Sequence, residues 1–278
     1  YITGILASMP NLLHPNKLVV RQEMQKLNSI WHPDDSKEKW LENKERLPDR
    51  YQNKEAVKYI YNCSGYRGEK EIRDYKGEYL VSFGCSNTEG LGINYEETYS
   101  YLLAEKLGVD VMNLGIAGSS IDLVATNITQ LVKLICARKL KAPKYVIVQW
   151  PGCYRKTFTE MLLHGDHYTL NNLNLSNDIN DTTLADTYDR EWVTNRYAIY
   201  TEHLNYEVYK NITSSNLMLQ LMGTNVINFE LSADACREDN YLLRDFNIHD
   251  MPFMEDAETY ARDMIHAGVE SNARWALT

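Results

Sequence analysis

Three short segments of this chain carry residue types that could together do acyl-transfer chemistry. Gly84-Cys85-Ser86-Asn87-Thr88-Glu89-Gly90 presents a serine in a glycine-bounded turn, and Asn113-Leu114-Gly115-Ile116-Ala117-Gly118 presents two close glycines. Asp263-Met264-Ile265-His266 presents a carboxylate and an imidazole near the end of the chain. A serine hydroxyl is a poor nucleophile until a base takes its proton, and His266 is the candidate base. Asp263 could reach His266 to fix its tautomer and stabilise the imidazolium. A tetrahedral oxyanion needs preorganised N–H donors, and glycine lets the backbone approach closely, so the amides of Ser86 and Gly118 are the candidate oxyanion hole.

Such groups work only if the fold brings them together. Tyr79-Leu80-Val81-Ser82-Phe83 is a short apolar run closed by Gly84, as expected of a buried strand. Tyr95, Tyr99, Leu102, Leu103 and Leu107 then recur at helical spacing up to Gly108. Val109–Leu114 reads as a second strand, Ile121–Leu140 as a second helix before Pro143, and Tyr145–Trp150 as a third strand. This alternation predicts parallel βαβ units with helices on both faces of a sheet. In such sheets ligands lie beyond the carboxyl ends of the strands, where the serine and glycine segments fall.

The remainder is less regular. Residues 1–76 show no clear alternation; Trp31–Lys58 is charged and helix-prone, and the segment reads as an N-terminal extension packed on the core or on a partner. The main domain is then 77–278. Residues 165–190 are rich in Asn, Asp and Thr and predict a polar loop or insertion at the mouth of the site. Helical texture returns over Glu191–Met222, Asn225–Leu231 reads as a strand, and 232–258 is polar and acidic. Ala257–Ile265 leads into a last short helix around Val269–Leu277.

The three segments resemble those of the SGNH (GDSL-type) hydrolases, a superfamily of serine esterases and lipases. That family has a Gly-Asp-Ser-x-Thr-x-Gly-like turn after its first strand, an Asn-x-Gly-x-x-Gly-like turn after its second, and Asp-x-x-His near its C-terminus. Asn62, Gly65, Tyr66 and Arg67 resemble the family's entry to the first strand. The resemblance covers roughly residues 60–150 and 257–277. It implies a three-layer α/β/α sandwich with a mostly parallel, flavodoxin-like sheet, and hydrolysis of a carboxylic ester by Ser86, Asp263 and His266 without a cofactor. Within the family O-acetylated carbohydrates and small acyl esters are common substrates, so an O-acetylated glycan or small acyl ester is the expected partner.

Two positions depart from the family pattern. Cys85 stands where an Asp usually precedes the serine. The Gly-x-Asn-Asp block, whose Asn donates to the oxyanion, is replaced by Gln149-Trp150-Pro151-Gly152. Losing one such donor typically costs on the order of 10²–10³ in rate. Gln149 is a candidate substitute, and Asn113, Tyr154 and Arg155 are further candidate substrate contacts. The departures also motivate an alternative, a non-catalytic binding or structural module on the same scaffold.

Composition narrows the remaining classes. With 29 basic and 38 acidic residues, the net charge of −9 argues against a non-specific nucleic-acid grip. No apolar run approaches the roughly 18 residues needed to cross a bilayer, and the opening residues lack the basic start of a secretory signal. Cys63, Cys85, Cys136, Cys153 and Cys236 are odd in number and widely spaced, unlike a disulfide framework or zinc knuckle. The compartment stays open. Gly90-Leu91-Gly92 fails as a dinucleotide loop because Tyr95 holds the third glycine position, and Thr88 breaks a Gly-x-Ser-x-Gly elbow. His164, Asp166 and His167 could bind metal only with a distant ligand such as His249 or Asp250, so no metal is expected. Tyr197, Tyr200, Tyr206 and Tyr209 read as core and half-buried helix faces rather than a sugar platform.

Overall fold

The apolar runs lie side by side in one parallel sheet. The structure, a computed structural model, describes residues 11–13, 17–152, 155–161, 168–174, 201–231, 248–251 and 260–277. The sheet contains β1 (Tyr79–Gly84), β2 (Asp110–Gly115), β3 (Tyr145–Trp150), β4 (Asn225–Leu231) and β5 (Ile248–Met251). Their order is β5-β4-β3-β1-β2 and every pairing is parallel. This is the 2-1-3-4-5 order of flavodoxin-like folds, whose topological switch point lies between the first and third strands.

Strand periodicity divides the core into two. Val81, Phe83, Met112, Leu114, Val146 and Val148 face one side. There they meet α3 (Ile121–Cys136) through Ile121, Val124, Ile128 and Leu131, and α4 (Thr201–Leu221) through Val208, Ile212 and Leu219. Leu80, Val111, Ile147 and Phe229 face the other, against Tyr99 and Ala104 of α2 (Tyr99–Leu107) and Trp275 of α5 (Val269–Trp275). Two residues per strand period and 3.6 per helical turn thus give three layers. β1 is buried at all six positions because helices cover both faces.

Helix boundaries follow local capping. The Ser120 hydroxyl accepts from the Leu123 amide to start α3, and Thr98 accepts from Tyr101 to start α2. The stretch expected as one helix from Tyr95 is therefore split: Tyr95–Glu97 forms a single 3-10 turn ahead of the Thr98 cap. The next helix stops at Cys136 rather than Leu140, with Arg138 in the left-handed region.

Residues 17–76 pack on the same core. The helix-prone stretch contains one α-helix, Lys37–Asn43, followed by three short 3-10 turns. Met24, Trp40, Leu47, Tyr51, Val57, Tyr59 and Tyr61 form a buried cluster with Leu91, Ile93 and Ala261. A second sheet, antiparallel, joins Val20–Arg21, Asn11–Leu13, Tyr168–Asn174 and Arg155–Met161 in that order.

That sheet takes in part of the stretch read as a polar loop or insertion at 165–190. Tyr168–Asn174 is a strand paired along its length with Arg155–Met161. Main-chain hydrogen bonds hold such a ladder whatever the side chains, and Tyr168, Thr169, Leu170 and Leu173 favour strands. β5 was hidden inside the acidic 232–258 stretch; it is four residues long and pairs with β4 at the edge of the sheet. The rest of the expected insertion, the start of the helix at 191–200 (with Tyr197 and Tyr200), Tyr154, Cys153, Cys236 and the His164, Asp166 and His167 cluster lie outside the described residues. Among those described, no helix is long and apolar enough to cross a membrane.

Candidate active site

The chain leaves β1 through a turn that cannot widen. Gly84 ends the strand, Cys85 remains extended, and Ser86 is the first residue of α1 (Ser86–Glu89), which Gly90 closes in a left-handed conformation. Ser86 therefore stands at the carboxyl end of β1, at the switch point of the sheet. Its amide belongs to the first helical turn, which has no intrahelical partner, and it meets no acceptor among the described residues.

Gln149 holds this turn from the neighbouring strand. Its Oε1 accepts from the Cys85 amide, the Cys85 thiol and the Thr88 hydroxyl, each at 3.1 Å, while its Nε2 donates to the Trp150 carbonyl at 3.1 Å. An N–H donor at Cys85 requires the amide oxygen on that side, so the orientation is determined by chemistry. Gln149 is fully buried, and both its oxygen and its nitrogen make bonds within the protein. Asn113 is likewise internal: its Nδ2 donates to the Thr88 carbonyl at 2.6 Å and its Oδ1 accepts from Gly115 at 2.9 Å. These bonds brace α1 against β2. Arg155 starts its strand half-buried, with its amide donating to Gly152.

The glycine loop after β2 lies directly on α1. A Cβ on Gly115 would come within 2.4 Å of the Glu89 nitrogen, so a glycine is required by close approach. Gly84 receives two bonds from the loop, from the Ile116 amide and the Ser119 hydroxyl, both at 3.0 Å. Gly118 adopts φ +70°, with open space where a side chain would begin. Its amide has no hydrogen-bond partner among the described residues.

The last segment supplies the acid and the imidazole from a tight loop. Tyr260 bridges to Ala267, and the Ala261 amide donates to the His266 carbonyl. Met264 takes a left-handed φ of 57°, unusual for a side-chain-bearing residue and paid for by the loop's bonds. Asp263 Oδ1 accepts from the amides of Ile265 and His266 at 3.1 Å, while Oδ2 is hydrogen-bonded to His266 Nδ1. His266 Nε2 lies 2.7 Å from Ser86 Oγ. Burial opposes the charge on Asp263, yet the His266 ring and the two amides prevail and hold its carboxyl below the usual range. Ser86, Asp263 and His266 thus lie in one hydrogen-bonded chain. Cys85 is fully buried against Gln149, its sulfur 4.0 Å from Ser86 Oγ, and the imidazole faces the hydroxyl rather than the thiol.

Several supporting residues escaped the sequence reading. Asn87 Oδ1 accepts from the Ala267 amide, tying α1 to the residue after His266. Arg262, fully buried, donates to Asp35 and to the carbonyls of Lys54 and Ile30. Tyr59 also donates to Asp35 and accepts from the Gly92 amide. Glu89 binds Arg21 and Tyr61. A buried charge must be paired, so an Arg beside Asp263 and a Glu three residues after Ser86 were signals that partners existed elsewhere. Nothing in the spacing said that residues 21–61 would supply them.

No family model and no curated sequence matches the chain. Solved structures do. A member of the lipolytic protein G-D-S-L family from Veillonella parvula DSM 2008 superposes with a TM-score of 0.39 and 15% identity, over 72% of this chain and 97% of the other. The acetyl xylan esterase Est2A from the rumen bacterium Butyrivibrio proteoclasticus gives 0.43 and 14%, over 77% of this chain and 64% of the other. AlinE4, an SGNH-hydrolase family esterase, gives 0.33 and 15%, over 64% and 77%. The structural matches are to SGNH and GDSL proteins.

Proposed function

We propose that this chain is a serine-dependent carboxylic ester hydrolase, with a small acyl ester, and in particular an O-acetylated carbohydrate, as substrate. The observation that carries the reading is the unbroken hydrogen-bonded chain from Asp263 through His266 to Ser86 Oγ, at the carboxyl end of β1.

With Asp263 ionised, His266 keeps its proton on Nδ1 and turns the Nε2 lone pair towards Ser86. Nε2 takes the hydroxyl proton as Oγ attacks the acyl carbon. The carbonyl π pair moves onto oxygen, where the Ser86 and Gly118 amides donate to it. Collapse expels the alcohol oxygen, which takes the proton from His266, and leaves an acyl-serine. Water then repeats the sequence: His266 accepts its proton, the hydroxide adds to the acyl carbon, and Ser86 leaves protonated with release of the acid. No cofactor enters either half. Gln149 serves by holding the turn, so any third donor to the oxyanion comes from elsewhere, and a rate lower by about 10²–10³ than a three-donor site is expected.

The antiparallel sheet offers a wall for the alcohol part of the substrate. Thr157 of its strand Arg155–Met161 is hydrogen-bonded to Ser120, two residues beyond Gly118. Arg155, which begins that strand, is the proposed contact on that side, and Tyr154 immediately precedes it in sequence.

The test is release of acid from p-nitrophenyl acetate and from a peracetylated sugar by wild type and Ser86→Ala. Turnover in the wild type alone supports the reading. Folded wild-type protein inert towards both, while binding an acetylated sugar, would favour a non-catalytic binding module.

A further inference from the structure

Glu89 is fully buried and lies one helical turn beyond Ser86. Its Oε1 accepts from Arg21 Nη1 and from the Tyr61 hydroxyl, both at 2.6 Å. Its Oε2 accepts from the amide of Ala117 at 2.5 Å. Ala117 immediately precedes Gly118, so one carboxylate joins the N-terminal segment, the helix that begins at Ser86 and the glycine loop. His32 sits on the same carboxylate, with Nε2 3.6 Å from Oε1. The Asp34 amide donates to its Nδ1, which therefore acts as acceptor and leaves the ring proton on Nε2, towards Glu89.

We propose that Glu89 is the positioning residue of the oxyanion loop: it binds the Ala117 amide and so fixes on α1 the loop in which the Gly118 amide is left as the open donor. This inference rests on the hydrolase reading above. The turn that carries Gly118 is closed by the Ser119 amide on the Ile116 carbonyl and tied to the Gly84 carbonyl by the Ile116 amide and the Ser119 hydroxyl. Ionised Glu89 adds a charge-assisted bond to the peptide that enters this turn, between Ile116 and Ala117, and so anchors the turn on α1 and sets where Gly118 is presented. Burial opposes that charge, but Arg21 and His32 hold the Glu89 carboxyl far below the usual carboxylate range.

Two double variants isolate the acceptor from the ion pair. Arg21→Met with Glu89→Gln removes both charges but leaves an oxygen that can accept from Ala117. Arg21→Met with Glu89→Leu removes both charges and the oxygen. With p-nitrophenyl acetate, the second should show kcat about 10²-fold below the first, with KM within about threefold and both cooperatively folded. A merely structural role would lower the melting temperature without separating kcat from KM. Equal kcat values in the two doubles would overturn the inference while leaving the hydrolase reading intact. A wild type that is inert towards this ester would overturn both. Amide exchange in the wild type gives a test that needs no variant: the Ala117 amide should be protected and that of Gly118 open. A rapidly exchanging Ala117 amide would overturn the assignment.

Discussion

The Arg262 amide donates to the Gly92 carbonyl at 3.0 Å. The loop carrying Asp263 and His266 is thereby fastened to the loop that leaves the helix begun by Ser86. Arg262 continues in the other direction to Asp35. The imidazole and the hydroxyl therefore keep their distance through a path of main chain and buried charge that does not involve either side chain. A Cβ on Gly92 would meet Ala261 Cβ at 2.6 Å and the Arg262 nitrogen at 2.9 Å. Gly92 also has φ +76°.

Gly92→Ala should accordingly lower both stability and turnover. Overpacking of this kind costs about 1–3 kcal/mol, and displacement of the 261–266 loop should lengthen the Ser86–His266 contact. Thermal unfolding and kcat/KM measured together check the coupling. A variant with unchanged melting temperature and rate would show the loops to be independent.

Ser86→Ala should abolish ester turnover at little cost to folding. Among the described residues the hydroxyl is hydrogen-bonded only to His266 and the Cys85 sulfur. Its loss should cost no more than about 1 kcal/mol, or roughly 2–4 °C in Tm for a chain of this size. Cys85→Ala should keep turnover; activity lost there and retained in Ser86→Ala would move the nucleophile by one residue.

Asp263→Asn keeps an oxygen for the amides of Ile265 and His266 but presents an NH₂ group to His266 Nδ1. The ring must then carry its proton on Nε2, facing Ser86, in the wrong tautomer for a base. A fall in kcat of about 10³–10⁴-fold with little change in KM is expected, measured on p-nitrophenyl acetate.

Acid should unfold the protein through Glu89 and Asp263. Both carboxyls are held below their usual range in the folded chain. A depressed folded pKa means that the unfolded chain takes up protons first, so stability falls as pH drops. The contribution is complete above the unfolded values near about 4 and is lost progressively below them. Tm measured from pH 7 to 3 should drop beneath about pH 4.5, and the Arg21→Met, Glu89→Gln double should show a shallower drop. A parallel curve would place the acid sensitivity elsewhere.

Much of this site was legible because it depends on local rules. Gly84 and Gly115 end apolar runs, and Ser86 and Gly118 follow them, so strand ends together with the resemblance of these segments to the SGNH hydrolases pointed to the hydroxyl and the amide. The acid and imidazole share one turn, so their spacing placed them on each other. What was hidden depends on contacts far apart in the chain. Gln149 was read as a possible donor because it stands in place of the family's Gly-x-Asn-Asp block, whereas packing turned its amide oxygen onto Cys85 and Thr88. Arg21, Asp35 and Tyr61 come from a stretch without periodicity, and pairing of buried charges is decided by packing rather than spacing. β5 was lost because four residues with His249 and Asp250 at their centre carry almost no hydrophobic pattern.

The central claim is that His266 activates Ser86, and covalent labelling tests it most directly. Fluorophosphonate applied to folded, monodisperse protein should give a stoichiometric adduct that peptide mapping places on Ser86, and His266→Ala should prevent it. Absence of an adduct in the folded wild type, or an adduct on another residue, would contradict the account.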